Sequence, residues 1–234
     1  MFHYYWDPTY ILVLIGVVLS LAASSLVKNT YYKYARNVSV SGMTGRDVAE
    51  RILRMNGVQG VTIRRVAGEL TDHYDPRNQT VNLSEAVYDS CSVAAIGVAA
   101  HECGHVLQHE NGYVPIKIRG ALVPVANFGS QIAWPLILIG FLINGYTSSM
   151  FFVNLGIILF SAAVLFQIVT LPVEFNASAR ALGVLESGGM LYGDELKGAR
   201  RVLTAAAMTY VAGAAAAILQ LIRVLAITGR RRND

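Results

Sequence analysis

Polar and hydrophobic positions divide this chain into long uncharged runs and shorter mixed segments. From Gly120 to Val173 there is no Asp, Glu, Lys, Arg or His. A soluble domain does not leave so long a stretch without charge. A membrane span needs about 20 apolar residues, so this run holds two of them. The polar stretch from Asn144 to Ser149 is the expected hairpin between them. Thr9 to Val27 and Val202 to Ile222 are also uncharged. The pattern predicts four transmembrane helices, at about 9–27, 120–143, 151–170 and 204–222.

The spans differ in character. The third is the most lipid-like, rich in Phe, Leu and Ile. The fourth carries Ala205-Ala206-Ala207 and a run from Ala212 to Ala217 around Gly213, small residues that let helix backbones approach closely. In the second, Pro124, Pro135, Asn127 and Gln131 predict a kink or a polar stripe turned toward protein. The first is expected to be a retained anchor, because Met1 to Pro8 lacks the Lys or Arg of a cleaved leader.

Between the spans lie two soluble pieces, 28–119 and 171–203. Thr44 to Gly57 reads as a helix, with Thr44 as cap, Asp47 three residues on, and Val48, Ile52 and Met55 as the apolar stripe. Val61 to Val66 alternates like a strand, and Thr80 to Leu83 reads as a second. Glu69 to Asn78 is turn-rich, and Pro172 suits the first turn of a helix.

The charged share of 15% is well below that of soluble domains. The net charge of +4 is no sign of nucleic acid, because the basic residues gather where soluble loops meet the spans. Lys28, Lys33, Arg36, Lys117, Arg119, Arg180, Lys197, Arg200 and Arg201 place those loops in the cytoplasm, against Arg230-Arg231-Arg232 on the other side. Cys91 and Cys103, on one helix, would stand about 18 Å apart, too far for a disulfide.

The chemistry lies in His101-Glu102-Cys103-Gly104-His105, an H-E-x-x-H pattern. Ser92 caps the start of the apolar helix that carries it, and Gly112 lies just past its end. Positions i and i+4 share a helix face, so two imidazoles reach one zinc ion while Glu102 stands beside it as general base. Cys103 points around the helix from His101 and is a poor ligand. His109, one turn further, cannot converge well with the other two on a straight helix. His73 and Asp75 read as turn residues. Two histidines leave a catalytic zinc site one protein ligand short. That ligand must come from the same membrane side, where Glu174, Glu186, Asp194 and Glu195 are the later carboxylates.

The stretch from His101 to His109, the uncharged hairpin and the stretch from Leu171 to Ser178 resemble the YugP-type membrane zinc metallopeptidases of bacteria. The resemblance covers nearly the whole chain. More distantly, the chain is similar to HtpX-type and CAAX-prenyl-protease zinc peptidases, which split a gluzincin domain around membrane helices. Their third ligand comes from a glutamate in an E-x-x-x-D pattern, which implies Glu174 here. Ser178 stands where that pattern has an aspartate that orients a ligating histidine.

The expectation is an α-helical integral membrane protein with four transmembrane helices and a small, mainly α, gluzincin-type zincin domain containing a short β element. Its parts are an anchor at 1–27, a catalytic portion at 28–119, a transmembrane hairpin at 120–170, a second catalytic portion at 171–203, and a last span with a basic tail at 204–234. One zinc ion per chain is held by His101, His105 and Glu174, and Glu102 moves the proton. Ser178, Tyr192, Arg200 and Arg201 are candidates for orienting a ligand or meeting the developing oxyanion. The expected partners are a protein or peptide substrate and the lipid bilayer of the cell membrane. Self-association and membrane-protein partners stay open. The alternatives are an inactive membrane scaffold and a metal-handling membrane protein. The latter should carry ligands within its spans, and these spans hold no histidine or carboxylate.

Overall fold

The structure, a computed structural model, describes residues 7–147 and 150–233. In chain order the elements are α1 (Tyr10–Ala35), α2 (Gly45–Met55), β1 (Thr62–Val66), β2 (His73–Asp75), β3 (Thr80–Ser84), α3 (Glu85–Tyr88), α4 (Val93–Glu110), α5 (Val114–Thr147), α6 (Phe151–Ser187) and α7 (Gly193–Asn233). The chain is mostly helical, with one three-stranded sheet. Among the described residues, four helices, α1, α5, α6 and α7, are long and apolar enough to cross a membrane.

Two compact units share these helices. The first comprises Met1–Ala22, Ile118–Leu171 and Thr209–Asp234. Small residues set its helix spacing. A Cβ on Gly16 would stand 3.2 Å from Ala216 Cβ, and one on Gly156 would stand 2.9 Å from the Ala133 carbonyl oxygen. Most of the apolar surface of α1 is not covered by the rest of the chain.

The second unit comprises Ala23–Lys117 and Pro172–Met208. Its core is built around α4, whose Val93, Ala94, Ala95, Ile96, Ala99, Ala100, Cys103 and Val106 are all buried. Helix α2 packs on it through Val48, Ala49, Ile52 and Leu53. Thr44 caps α2 in a reciprocal capping box with Asp47. In the sheet, β3 is central, parallel to β1 and antiparallel to β2. Val81 and Leu83 on β3 are fully buried, and β1 pairs only through it.

Several expectations are corrected. The turn-rich stretch before Thr80 contains strand β2, which forms by pairing with β3 and ends where Asp75 accepts a hydrogen bond from the Arg77 amide. Met55 is half exposed, and the buried stripe of α2 runs through Ala49 and Leu53 instead. Pro172 lies inside α6, not at a first turn. Asn144 to Thr147 continue α5, and Ser148 and Ser149 of the expected hairpin lie outside the described residues. Pro124 and Pro135 lie inside α5, while Asn127 and Gln131 are exposed rather than turned toward the chain's own helices. Glu186 belongs to the end of α6, and Asp194 and Glu195 to the first turn of α7.

Candidate metal centre

Helix α4 begins at Ser92, whose hydroxyl accepts from the Ala95 amide, and stops at Asn111, before Gly112 turns the chain at φ +62°. Most residues of this helix are buried, so the motif is held in the core of its unit. It crosses α6 at Gly104, which meets Ala177. That crossing puts His101 and His105, on either side of Gly104, opposite Glu174 and Ser178, on either side of Ala177.

His101 Nε2 lies 3.2 Å from Glu174 Oε2, and His105 Nε2 lies 3.7 Å from the same oxygen. The three ligand atoms all fall within 4.8 Å of one another. In a tetrahedral zinc site with arms of about 2.0–2.1 Å, neighbouring ligand atoms are about 3.3 Å apart. Two imidazole nitrogens and one carboxylate oxygen at this spacing fit a catalytic zinc ion with one position open. The imidazoles stand edge to face, with centroids 4.8 Å apart and planes at 82°.

The outer nitrogens are also engaged. His101 Nδ1 lies 3.1 Å from Ser178 Oγ, so a serine occupies the place that the related pattern gives to an aspartate. His105 Nδ1 lies 3.0 Å from Gln108 Oε1. Gln108 was not singled out from the sequence. It sits three residues past His105, where a helix brings side chains together, and its full burial is invisible in an isolated sequence.

Electrostatics favour an ionised Glu174. Burial pushes its carboxyl up, but the His101 imidazole at hydrogen-bond distance and the His105 imidazole close by outweigh that and hold it well below the usual carboxylate range. Burial pushes the His105 imidazole down, yet Glu174 and the charge of Glu102 raise it overall. Glu102 is itself buried and acts on both His105 and Asp72 through space. Asp72 accepts from the Ser84 amide at 2.7 Å and its hydroxyl at 3.0 Å, and burial raises its carboxyl pKa.

The remaining expected residues go elsewhere. Tyr192 lies beyond the end of α6 with its hydroxyl against Gly189, about 20 Å along the helix axis from Glu174. Arg201 donates to the Tyr34 hydroxyl at 2.9 Å, and Arg200 is exposed on α7. His109 packs edge to face against Tyr74, with centroids 5.5 Å apart. His73 is engaged by the Thr71 carbonyl and the Asn82 side chain. Cys103 is fully buried against the Ala49 carbonyl, which pushes its thiol far above the usual range, and both cysteines are free.

A family described as "putative neutral zinc metallopeptidase" matches residues 9–229. The "putative membrane protease YugP" of Bacillus subtilis (strain 168) is 46% identical over 224 residues, covering 95% of this chain and 98% of that protein. No solved structure matches the chain.

Proposed function

From the premise that this chain belongs to the zinc metallopeptidase family matched over residues 9–229, we propose that it is a multi-pass membrane zinc metalloendopeptidase of gluzincin type. It hydrolyses peptide bonds of membrane or membrane-proximal proteins. The observation that carries the reading is the convergence of His101, His105 and Glu174, brought from two helices far apart in sequence. The relative's name, a membrane protease, and the four apolar helices support the membrane setting.

His101, His105 and Glu174 would hold the ion, one per chain. Zinc, when bound, supplies Lewis acidity that polarises the scissile carbonyl and makes a water nucleophilic near neutral pH. Glu102 takes a proton from the attacking water and passes it to the amine as the C–N bond breaks. Ser178 and Gln108 hold the imidazoles from behind, so that both Nε2 atoms face the site. Tyr192, Arg200 and Arg201 remain candidates for the oxyanion only if substrate binding brings them in, and the buried centre favours donors nearer to it.

The test is cleavage of a fluorogenic peptide library or casein by zinc-loaded, detergent-purified protein, beside Glu102→Gln. Turnover by the wild type and not by the variant supports the proposal. A wild type that binds zinc but cleaves nothing, in detergent or in liposomes, favours the scaffold or metal-handling alternatives.

A further inference from the structure

Four side chains connect the metal centre to the surface of the second unit, and their donor and acceptor chemistry can be read in only one direction. Arg180 lies at the outer end. A guanidinium only donates, and its Nε stands 2.8 Å from Asn176 Oδ1. That contact fixes which end of the Asn176 amide is oxygen. The same Oδ1 lies 3.0 Å from Gln108 Nε2, and the Val173 carbonyl oxygen, which only accepts, lies 2.8 Å from that nitrogen. Two acceptors therefore demand that Gln108 turn its NH2 toward α6. Its Oε1 is left facing His105 Nδ1 at 3.0 Å. A carbonyl oxygen accepts, so His105 must carry a proton on Nδ1, and in its neutral form it presents a bare Nε2 toward the site.

We propose that Gln108, Asn176 and Arg180 form a positioning relay that sets the tautomer of His105 and ties α4 to the turn of α6 that carries Glu174. The metal consequence rests on the zinc reading above, but the tautomer does not. Gln108 is fully buried, so no solvent competes for its bonds. Val173 is the immediate neighbour of Glu174, so the bond to its carbonyl also sets the spacing of two ligands. At the outer end the Tyr113 ring faces Arg180 at 5.9 Å, and its hydroxyl donates to the Pro172 carbonyl at 3.4 Å. Free histidine in water favours the proton on Nε2, the wrong nitrogen to keep it on for a ligand bound through Nε2. The relay imposes the other tautomer before any metal arrives.

The experiment uses the full chain in detergent micelles, labelled with ring-15N histidine, with the His105 signals assigned by their loss in His105→Gln. In metal-free protein at alkaline pH, wild type should show His105 protonated on Nδ1. Gln108→Leu should move the proton wholly or partly to Nε2, and zinc affinity by chelator competition should fall about 10–100-fold. Asn176→Asp keeps an acceptor toward both Gln108 and Arg180, and should retain the wild-type tautomer and affinity. If Gln108→Leu does not fold, Asn176→Leu takes its place, with a shift in the same direction. A wild-type His105 protonated on Nε2 overturns the proposal. So does a folded Gln108→Leu, or Asn176→Leu in its place, with unchanged tautomer and zinc affinity. A wild type with the Nδ1 proton that binds no zinc would support the relay while refuting the metal reading.

Discussion

Gly104 and Ala177 meet with no room for a side chain: a Cβ at 104 would stand 2.5 Å from the Ala177 carbonyl oxygen and 3.2 Å from its Cα. The motif glycine is therefore a point of backbone contact between α4 and α6, and the contact helps set the distance from both histidines to Glu174. Gly104→Ala must push the helices apart, because backbone atoms cannot give way as a side chain would. Overpacking of this kind costs about 1–3 kcal/mol, and here the displacement falls on the ligand set. The expected result is a lower melting temperature together with weaker zinc binding, measured by chelator competition. A stabilised Gly104→Ala protein with wild-type affinity would mean that the crossing is looser than this.

Glu102 and Glu174 should part company on substitution. Glu174 is 2% exposed and shares one oxygen with both imidazoles, so Glu174→Ala should lose zinc and activity together. Glu102→Gln should keep zinc and lose about 10²–10⁴-fold or more in turnover, since the amide cannot carry the proton. Metal analysis by mass spectrometry beside a peptide assay reads both. Stoichiometric zinc in Glu174→Ala would remove Glu174 from the ligand set.

Metal-free protein should lose stability as the pH rises, and zinc should reverse that trend. The His105 value is raised on folding, so its contribution is fully present below the ordinary imidazole pKa and is lost as pH climbs through the raised value. The Glu174 value is lowered, so its contribution is present above the ordinary carboxylate pKa and is lost only in strong acid. The window of greatest metal-free stability lies between these limits. Zinc needs deprotonated imidazoles, so its affinity increases over the range where the apo protein weakens. Melting temperatures in EDTA should fall as the pH rises above the ordinary imidazole pKa of about 6.5, while the gain on adding zinc should grow. A zinc-induced gain that shrinks with rising pH would contradict the ligand set.

What was legible in the sequence follows the range of the forces involved. The uncharged runs mark α1, α5, α6 and α7 because a bilayer tolerates nothing else over such a length. The pairing of His101 with His105 is local helix geometry, and the caps at Thr44 and Ser92 are local hydrogen bonds. Features that depend on distant partners were not legible. Strand β2 is hidden by turn residues, and only β3 makes it a strand. Helix α6 runs through Pro172, although proline removes a backbone donor, because Val173, Glu174 and Ala177 are packed against α4. Nothing local in the sequence sets Gln108 apart, because its acceptors lie on another helix. Tyr192, Arg200 and Arg201 suit an oxyanion by residue type alone, and nothing in a sequence says that Arg201 turns to Tyr34.

Membrane orientation is the remaining expectation with a sharp test. Lys28, Lys33, Arg36, Lys117, Arg119, Arg180, Lys197, Arg200 and Arg201 lie in or directly beside the segments that carry the candidate metal centre, and basic residues near spans favour the cytoplasm. The terminal side holds Arg230, Arg231 and Arg232. To these the fold adds Arg223, whose guanidinium lies 4.3 Å from the centre of the Tyr10 ring. That contact joins the start of α1 to the last third of α7, as an even number of spans requires. Nine basic residues against four predict a cytoplasmic face for the candidate metal centre. Neither cysteine is in a disulfide, so both can be replaced, with Cys103→Ala preferred because a buried hydroxyl there would lack a good partner. In that background a cysteine at Lys33 should resist a membrane-impermeant maleimide in intact cells and react after permeabilisation. One at Arg231 should react in both. If Lys33→Cys labels in intact cells and Arg231→Cys does not, the centre faces outward, and its substrates are to be sought on that side of the membrane.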